Sequence, residues 1–125
     1  MNGFLLRIGI DNFKTVNDKF GRNFGDSVLN SVAECIRECV DEHGRVYRMD
    51  GDEMMVVAEV ADYDQKEDQA RTLYHKIRNK NPFLSPVKTL FVRSDFNRIS
   101  RYNPVVLSII FRLPSSVILP TMYLA

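Results

Sequence analysis

Two β-prone runs near the middle of the chain, residues 45–49 and 53–58, are separated only by Asp50, Gly51 and Asp52. Glycine accepts the positive φ that a tight turn requires, so Asp-Gly between two such runs is a strong hairpin signal. The sequence therefore predicts an antiparallel pair of strands at its centre. The remaining segments must extend this pair into a sheet or pack on it.

The segment before the hairpin begins with a strand and a short helix. Residues 4–10 form a nearly continuous apolar run, which is typical of a strand buried on both faces. Asp11 follows at a favourable N-cap position and opens a helix that extends to about Phe20. Gly21 and Gly25 are then expected to bracket a loop.

Two longer helices are predicted on either side of the hairpin. The first begins at residue 26 or 27, carries apolar residues at helical spacing and ends at Gly44. The second spans residues 64–79, where Asp64 and Glu67 have the spacing of a capping box. The order strand, helix, helix, hairpin, helix indicates an α/β (α+β) fold, with helices packed on a sheet.

The composition changes after residue 80. Residues 81–125 carry five basic side chains, one acidic side chain and no glycine, whereas all six glycines lie before residue 52. Residues 105–111 and 117–119 are apolar enough to be strands, although prolines interrupt the region. We therefore divide the chain into a domain at 1–80 and an unassigned tail at 81–125.

The overall composition indicates which classes of partner to expect and in which cellular compartment the chain is located. The net charge of +1 gives no reason to expect a nucleic acid or an anionic membrane surface as partner. No apolar run approaches the roughly 20 residues of a membrane span. Cys35 and Cys39 lie four residues apart on one predicted helix, where buried reduced thiols are expected. No signal peptide is visible, since Arg7 and Asp11 interrupt the first apolar stretch, and we expect a cytoplasmic location.

Three segments resemble the opening half of a GGDEF domain, namely residues 10–21, 24–29 and 47–54. The resemblance covers about residues 3–80, and residues 50–54 occupy the place of the signature hairpin. It implies the fold of a nucleotidyl cyclase and a role in cyclic di-GMP signalling. Such a domain holds one GTP per subunit, forms a homodimer or a module of a larger signalling protein, and joins two GTP into cyclic di-GMP with Mg²⁺.

The resemblance also assigns roles to particular residues. Backbone amides at the start of the first helix would cradle phosphates, and Asn17 and Asp26 would read the guanine edge. The residues implied in nucleotide binding are Asn12, Phe13, Lys14, Asn17, Asp26 and Gly51. The resemblance implies Asp52 and Glu53 as the catalytic acids, and Asp52 with the backbone of Ile10 as ligands of the metal.

Four departures from the family pattern argue against full activity. The family has a metal-binding carboxylate where this chain has Gly9, which supplies no side-chain oxygen. Asp50 replaces the first signature glycine and Met54 replaces the phenylalanine. The family's inhibitory Arg and Asp would fall at Asp41 and Gly44, so product inhibition there is expected to be absent. The family's later strands and its phosphate-contacting lysine have no evident counterpart after residue 80.

The missing later strands imply a sheet with an open edge and an uncovered face. The change of composition favours the hypothesis that the tail is a truncated, rearranged or out-of-frame product. An uninterrupted family-like reading frame that ends in this tail, found by sequencing the parent locus, would refute that hypothesis.

Each assigned residue also has a purely structural interpretation. Residues 50–53 could form only a solvated turn, Asn17 could end a helix, and Asp26 could cap the next one. Asp11 lies two residues beyond Gly9, on the same strand face, and is a possible substitute metal ligand. Three functions therefore remain open: a degenerate domain that binds GTP or cyclic di-GMP, a working diguanylate cyclase, and a structural or dimerising module that binds no ligand.

Overall fold

The computed structural model describes residues 1–49, 51–93, 96–112 and 122–124. The strands are β1 (Gly3–Ile10), β2 (Gly44–Arg48), β3 (Glu53–Glu59), β4 (Leu84–Val92) and β5 (Met122–Leu124). The helices are α1 (Phe13–Phe20), α2 (Arg22–Val40), α3 (Lys66–Lys80), α4 (Phe96–Ile99) and α5 (Pro104–Arg112). Short 3-10 turns at Asp41–His43 and Tyr63–Gln65 precede β2 and α3. The predicted α/β (α+β) fold is confirmed.

The five strands form one sheet in the order β2-β3-β1-β4-β5, and each neighbouring pair is antiparallel. The predicted hairpin is confirmed as β2 and β3. Its turn contains Gly51 at φ 79°, a conformation that costs glycine little. Asp50 lies outside the described residues. β1 is the central strand with a neighbour on each side, which explains why its sequence is apolar almost throughout.

The first three helices cover one face of the sheet. Alternate residues of β1, from Phe4 to Ile10, point to this face and are at most 4% exposed. The helical spacing of the apolar residues on α2 produces a stripe that packs against them. The buried residues of this stripe are Leu29, Val32, Ala33, Ile36, Cys39 and Val40.

The opposite face is covered as well, so the expected uncovered face was wrong. α4 and α5, which follow β4 in the chain, pack against the other set of alternate strand residues. The buried cluster on this face consists of Leu5, Met55, Val57, Leu90, Val92, Phe96, Ile99 and Leu107. The face was expected to be bare because residues after 80 were left unassigned and residues 105–111 were predicted as a strand, whereas they lie in the helix α5 that helps to cover it.

The sheet continues across the predicted boundary at residue 80. β4 pairs with the whole of β1, and Phe91 in β4 is 1% exposed. The ring of Phe91 packs edge to face against Phe4 with 6.3 Å between the centroids. The hydroxyl of Tyr74 in α3 donates to the carbonyl of Leu84 at 3.0 Å. Residues 84–92 therefore belong to the sheet and not to a separate tail.

The starts of the first two helices differ from the prediction. Asn12, not Asp11, is the N-cap of α1; it has φ 57° and makes no side-chain cap hydrogen bond. α2 begins at Arg22, so the predicted loop from Gly21 to Gly25 is helical after its first residue. The N–H of Gly25 donates to the carbonyl of Gly21 at 3.1 Å, which continues the helix through this position. The absence of a side chain at Gly25 is used for close packing between helices.

Other helix ends also need correction. α2 ends at Val40, ahead of the predicted stop at Gly44, which is the first residue of β2. The predicted capping box before α3 does not form; instead the carboxylate of Asp62 accepts the N–H of Asp64 at 3.0 Å and a 3-10 turn precedes the helix.

Residues 105–111, predicted as a strand, lie in α5. The reason is local: Pro104 occupies the first helical position, where its missing N–H costs nothing, and Asn103 Oδ1 accepts the N–H of Val106 at 3.0 Å. The second predicted strand in this region, residues 117–119, lies outside the described residues.

The two cysteines are free thiols on α2. Cys39 is buried, and this burial raises the pKa of its thiol above the ordinary value. Cys35 is partly exposed, and its Sγ lies 2.9 Å from Nδ2 of Asn81, the donor of a hydrogen bond. The predicted burial is confirmed for Cys39 and holds only in part for Cys35.

Candidate functional site

One end of the sheet brings the hairpin turn, the end of β1 and the start of β4 together. The N–H of Ile10 donates to the carbonyl of Asp52 at 3.2 Å, and the N–H of Asp11 donates to the carbonyl of Phe83 at 2.9 Å. The Ile10 side chain itself is buried on the helix-covered face. The residues predicted to hold a metal, Asp52 and the backbone of Ile10, are therefore neighbours.

Gly9 lies on the sheet face opposite α1 to α3. It is paired with Glu53 on β3 and with Ser85 on β4, and residues paired across antiparallel strands share a face. Arg7, two residues earlier on β1, lies on the same face. The place of the missing carboxylate is thus surrounded by Arg7, Glu53 and Ser85.

Glu53 is held by an ion pair with Arg7. Nη2 of Arg7 donates to Oε1 of Glu53 at 2.9 Å, while the buried Nε lies 2.7 Å from Oε2 without the angle of a hydrogen bond. The two side chains are 22% and 26% exposed, so the pair is largely shielded from water. The Glu53 carboxylate is therefore bound to the Arg7 guanidinium, whereas a catalytic acid would have to bind a metal or a proton.

Asp11 is held by β4. The hydroxyl of Ser85 lies 2.8 Å and 2.9 Å from the two carboxylate oxygens of Asp11 and donates to them. The side chain does lie on the side of Gly9, because Ser85 is the cross-strand partner of Gly9. Since Asp11 is exposed, its carboxylate stays open to water, but it is anchored toward β4 and not toward the hairpin turn.

These contacts do not make the magnesium site that the family pattern implies. Magnesium needs several oxygen ligands at near-octahedral geometry. Gly9 supplies none, Glu53 is paired with Arg7, and Asp11 is bonded to Ser85. Across residues 1–49, 51–93, 96–112 and 122–124, no group of three or more His, Cys, Asp or Glu side chains could hold a metal ion. Among the described residues, the carboxylates nearest to Asp52 are thus engaged with protein partners and not with one another around a common ligand position.

The start of α1 retains the features expected of a phosphate cradle. The first helical hydrogen bond runs from the N–H of Val16 to the carbonyl of Asn12 at 3.3 Å. The amides of residues 13–15 therefore have no acceptor within the helix. Phe13 is buried and fixes the helix start on the sheet, while Asn12 and Lys14 are exposed. Lone amides and a lysine at a helix start are suited to binding phosphate oxygens.

Asn17 and Asp26 lie where α1 and α2 meet. A Cβ at Gly25 would overlap Oδ1 of Asn17, so the Asn17 side chain lies directly against the Gly25 backbone. Asp26 follows in the first turns of α2 and is exposed. Neither structural alternative holds: α1 continues past Asn17 to Phe20, and α2 begins four residues before Asp26, so Asp26 is not its cap. Asp26 is exposed and Asn17 is partly exposed, so neither side chain is buried away from the surface.

The sequence interpretation missed three contributors to this region, namely Arg7, Ser85 and Gly25. The signal for Arg7 was present, because it is the one charged residue in an otherwise apolar strand. Ser85 had no signal, since its position depends on the register of β4. Gly51, predicted to contact nucleotide, is exposed at the tip of the turn and shapes it.

The comparisons with known proteins agree on one family. A family model described as "Diguanylate cyclase, GGDEF domain" matches residues 2–91. The solved structure of an active GGEEF domain of a diguanylate cyclase from Vibrio cholerae has a TM-score of 0.62 and 26% identity, over 90% of this chain and 78% of that one. The match extends past residue 80, where the sequence resemblance was judged to end.

Two curated diguanylate cyclases of Escherichia coli match shorter segments. The first, described as a probable diguanylate cyclase, is 39% identical over a segment that covers 44% of this chain and 13% of that protein. The second is 32% identical over a segment that covers 52% of this chain and 22% of that protein. An uncharacterised membrane protein of Staphylococcus saprophyticus is 39% identical over 59% of this chain and 20% of its own length. The chain thus spans about a fifth or less of these relatives. In the part of the chain that the structure describes, no helix is long and apolar enough to cross a membrane.

Proposed function

This chain belongs to the GGDEF family of cyclic di-GMP signalling, and from that premise we propose that it binds a guanine nucleotide, GTP or cyclic di-GMP, with little or no cyclase activity. The proposal includes the expected cytoplasmic location. It also includes assembly as a homodimer or as one module of a larger signalling protein, in which this domain would respond to nucleotide without consuming it.

The observation that carries the binding part is the placement of Asn17 and Asp26 where α1 and α2 meet, with Asp26 exposed and Asn17 partly exposed. Neither side chain is used to cap or end a helix, and Asn17 is fixed in place against Gly25. A carboxylate accepts both the ring N–H and the exocyclic amine of guanine, and an amide can complete that edge. The phosphate end would then reach the amides and Lys14 at the start of α1.

The proposed loss of cyclase activity is based on the residues around Gly9, where the family has a metal-binding carboxylate. Cyclisation needs charge stabilisation at the reacting phosphate, and removing one such group typically costs about 10²–10³ in rate. Here Gly9 removes a carboxylate outright, and Arg7 neutralises Glu53. Asp11, the possible substitute ligand, is bonded to Ser85 and would have to leave it to reach a metal. Asp52 alone is insufficient to organise two phosphates and a cation.

The test is a calorimetric titration of the chain with GTP, followed by chromatography of the incubated mixture. We expect saturable binding of GTP, weaker binding of ATP, and no cyclic di-GMP. ATP is the matched control because it carries the same triphosphate on a different base. Guanine has an acceptor at O6 and a donor at N1, whereas adenine has a donor at N6 and an acceptor at N1. Formation of cyclic di-GMP would establish the active-cyclase alternative and make Asp11 the first residue to mutate. A folded sample that binds neither GTP nor added cyclic di-GMP would support the structural module.

A further inference from the structure

We propose that Arg7 takes the place of the missing metal, binding the nucleotide phosphates directly, so that this chain binds GTP without Mg²⁺. The inference rests on the proposed function and concerns the same site. The family pattern implies a divalent cation, but the described side chains around Gly9 do not form a group that could hold one.

The position of Arg7 supports the substitution. Arg7 and Gly9 are two residues apart on β1 and lie on one face of the sheet, so Arg7 is the neighbour of the lost carboxylate along the strand. Glu53 is the partner of Gly9 on β3 and is bound to Arg7. A positive group therefore lies beside the acidic hairpin turn, where the metal of a working cyclase would join protein acids to phosphate.

The chemistry of the guanidinium fits that bridging role. Arginine carries five N–H donors in a planar fork, and Glu53 receives one hydrogen bond from Nη2. The remaining donors of the two terminal nitrogens can meet phosphate oxygens while the ion pair stays intact. The Arg7 side chain is 22% exposed, which shields its charge from water without closing it off from a ligand.

A second cation lies on the same rung of the sheet. Lys88 on β4 is the cross-strand partner of Arg7, and a register shift between Arg7 and Ile8 keeps Lys88 on the face of Gly9 and Ser85. Among the described residues, the strand face next to Gly9 thus carries the cations Arg7 and Lys88 and the acid Glu53, with the Asp11 carboxylate bonded to Ser85 beside them. Protein cations there would offset the charge of a triphosphate that approaches Asp52 and Glu53, which is otherwise the work of the metal.

The decisive measurement uses the unaltered chain. GTP affinity is measured by calorimetry in excess EDTA and again in excess Mg²⁺. We expect the two dissociation constants to agree within about threefold, because the phosphate contacts come from the protein in both conditions. Binding that is detectable only with Mg²⁺ overturns this inference and leaves the proposed function intact. Absence of GTP binding in both conditions overturns this inference and the GTP-binding part of the proposed function.

A double variant tests the residue. Arg7→Met with Glu53→Gln removes both charges of the ion pair, so that no unpaired acid is left in the sheet. In EDTA we expect it to bind GTP about tenfold or more weakly, since charge-assisted hydrogen bonds are lost. Arg45→Met, at an exposed position of β2, is the matched control and should leave the affinity unchanged. An unchanged affinity in the double variant, with the fold retained by circular dichroism, would make Arg7 a structural partner of Glu53 only and refute the inference.

Discussion

Replacing Asp26 with asparagine is expected to weaken GTP binding by about 30- to 150-fold, which corresponds to roughly 2–3 kcal/mol. A carboxylate accepts two N–H groups from guanine, whereas an amide offers one acceptor and sets an N–H donor against a donor. The loss should be smaller for ITP, which lacks the exocyclic amine and so has only one of these bonds to lose. Calorimetric titration of the unaltered chain and of Asp26→Asn with GTP and with ITP measures this difference.

The control for Asp26→Asn is Asp18→Asn. Asp18 is also exposed, it lies on the neighbouring helix α1, and its substitution changes the charge by the same amount. We expect Asp18→Asn to change the affinity by less than about twofold, because only the general field of the chain is altered. Equal losses in the two variants would show that Asp26 acts through net charge and does not read the base. Equal losses for GTP and ITP would also contradict a contact with the exocyclic amine.

The largest expected effect on stability comes from Phe91→Ala in β4. Phe91 is 1% exposed and packs against Phe4 in the helix-covered core. Truncating a buried phenylalanine removes its transfer free energy and leaves a cavity, which together cost about 3–5 kcal/mol. For a chain of this size that is a large part of the free energy of unfolding. Urea unfolding followed by circular dichroism measures the shift in midpoint.

Phe83→Ala is the matched substitution outside the core. Phe83 precedes β4 and is 42% exposed, so its truncation should change the free energy of unfolding by less than about 1 kcal/mol. This comparison decides whether residues after 80 are part of the folding unit. If Phe91→Ala proved as mild as Phe83→Ala, β4 would be dispensable, and the predicted division at residue 80 would describe the folding unit in solution.

The elements that could be predicted are those whose signals are local. The hairpin was readable because Gly51 meets a backbone requirement that few residues meet, and β1 because its apolar run has no polar face. α5 was misread as a strand, although Asn103 and Pro104 together carry a helix-start signal. The apolar run that follows them fits a strand as well as a helix. The N-cap residue Asn103 was the local signal that favoured the helix.

The part of the candidate site that could not be predicted depends on register. The pairing of Arg7 with Glu53 requires β1 and β3 to align with Gly9 opposite Glu53, and the contact of Asp11 with Ser85 requires the corresponding alignment of β4. A shift of one residue would send each of these side chains to the other face. Sequence spacing placed Asp26 near Asn17, but only the observed helix bounds show that Asp26 is not a cap and that α1 continues past Asn17.

The hairpin strand β2 has one neighbour, β3, in the described sheet, and so it forms one margin of that sheet. A strand at a margin presents unpaired N–H and carbonyl groups to any passing extended chain. Arg45 and Arg48 are exposed on β2, and a second copy pairing there would have to desolvate two arginines against its own two. Two arginines facing two arginines therefore disfavour edge-to-edge pairing of two copies along β2.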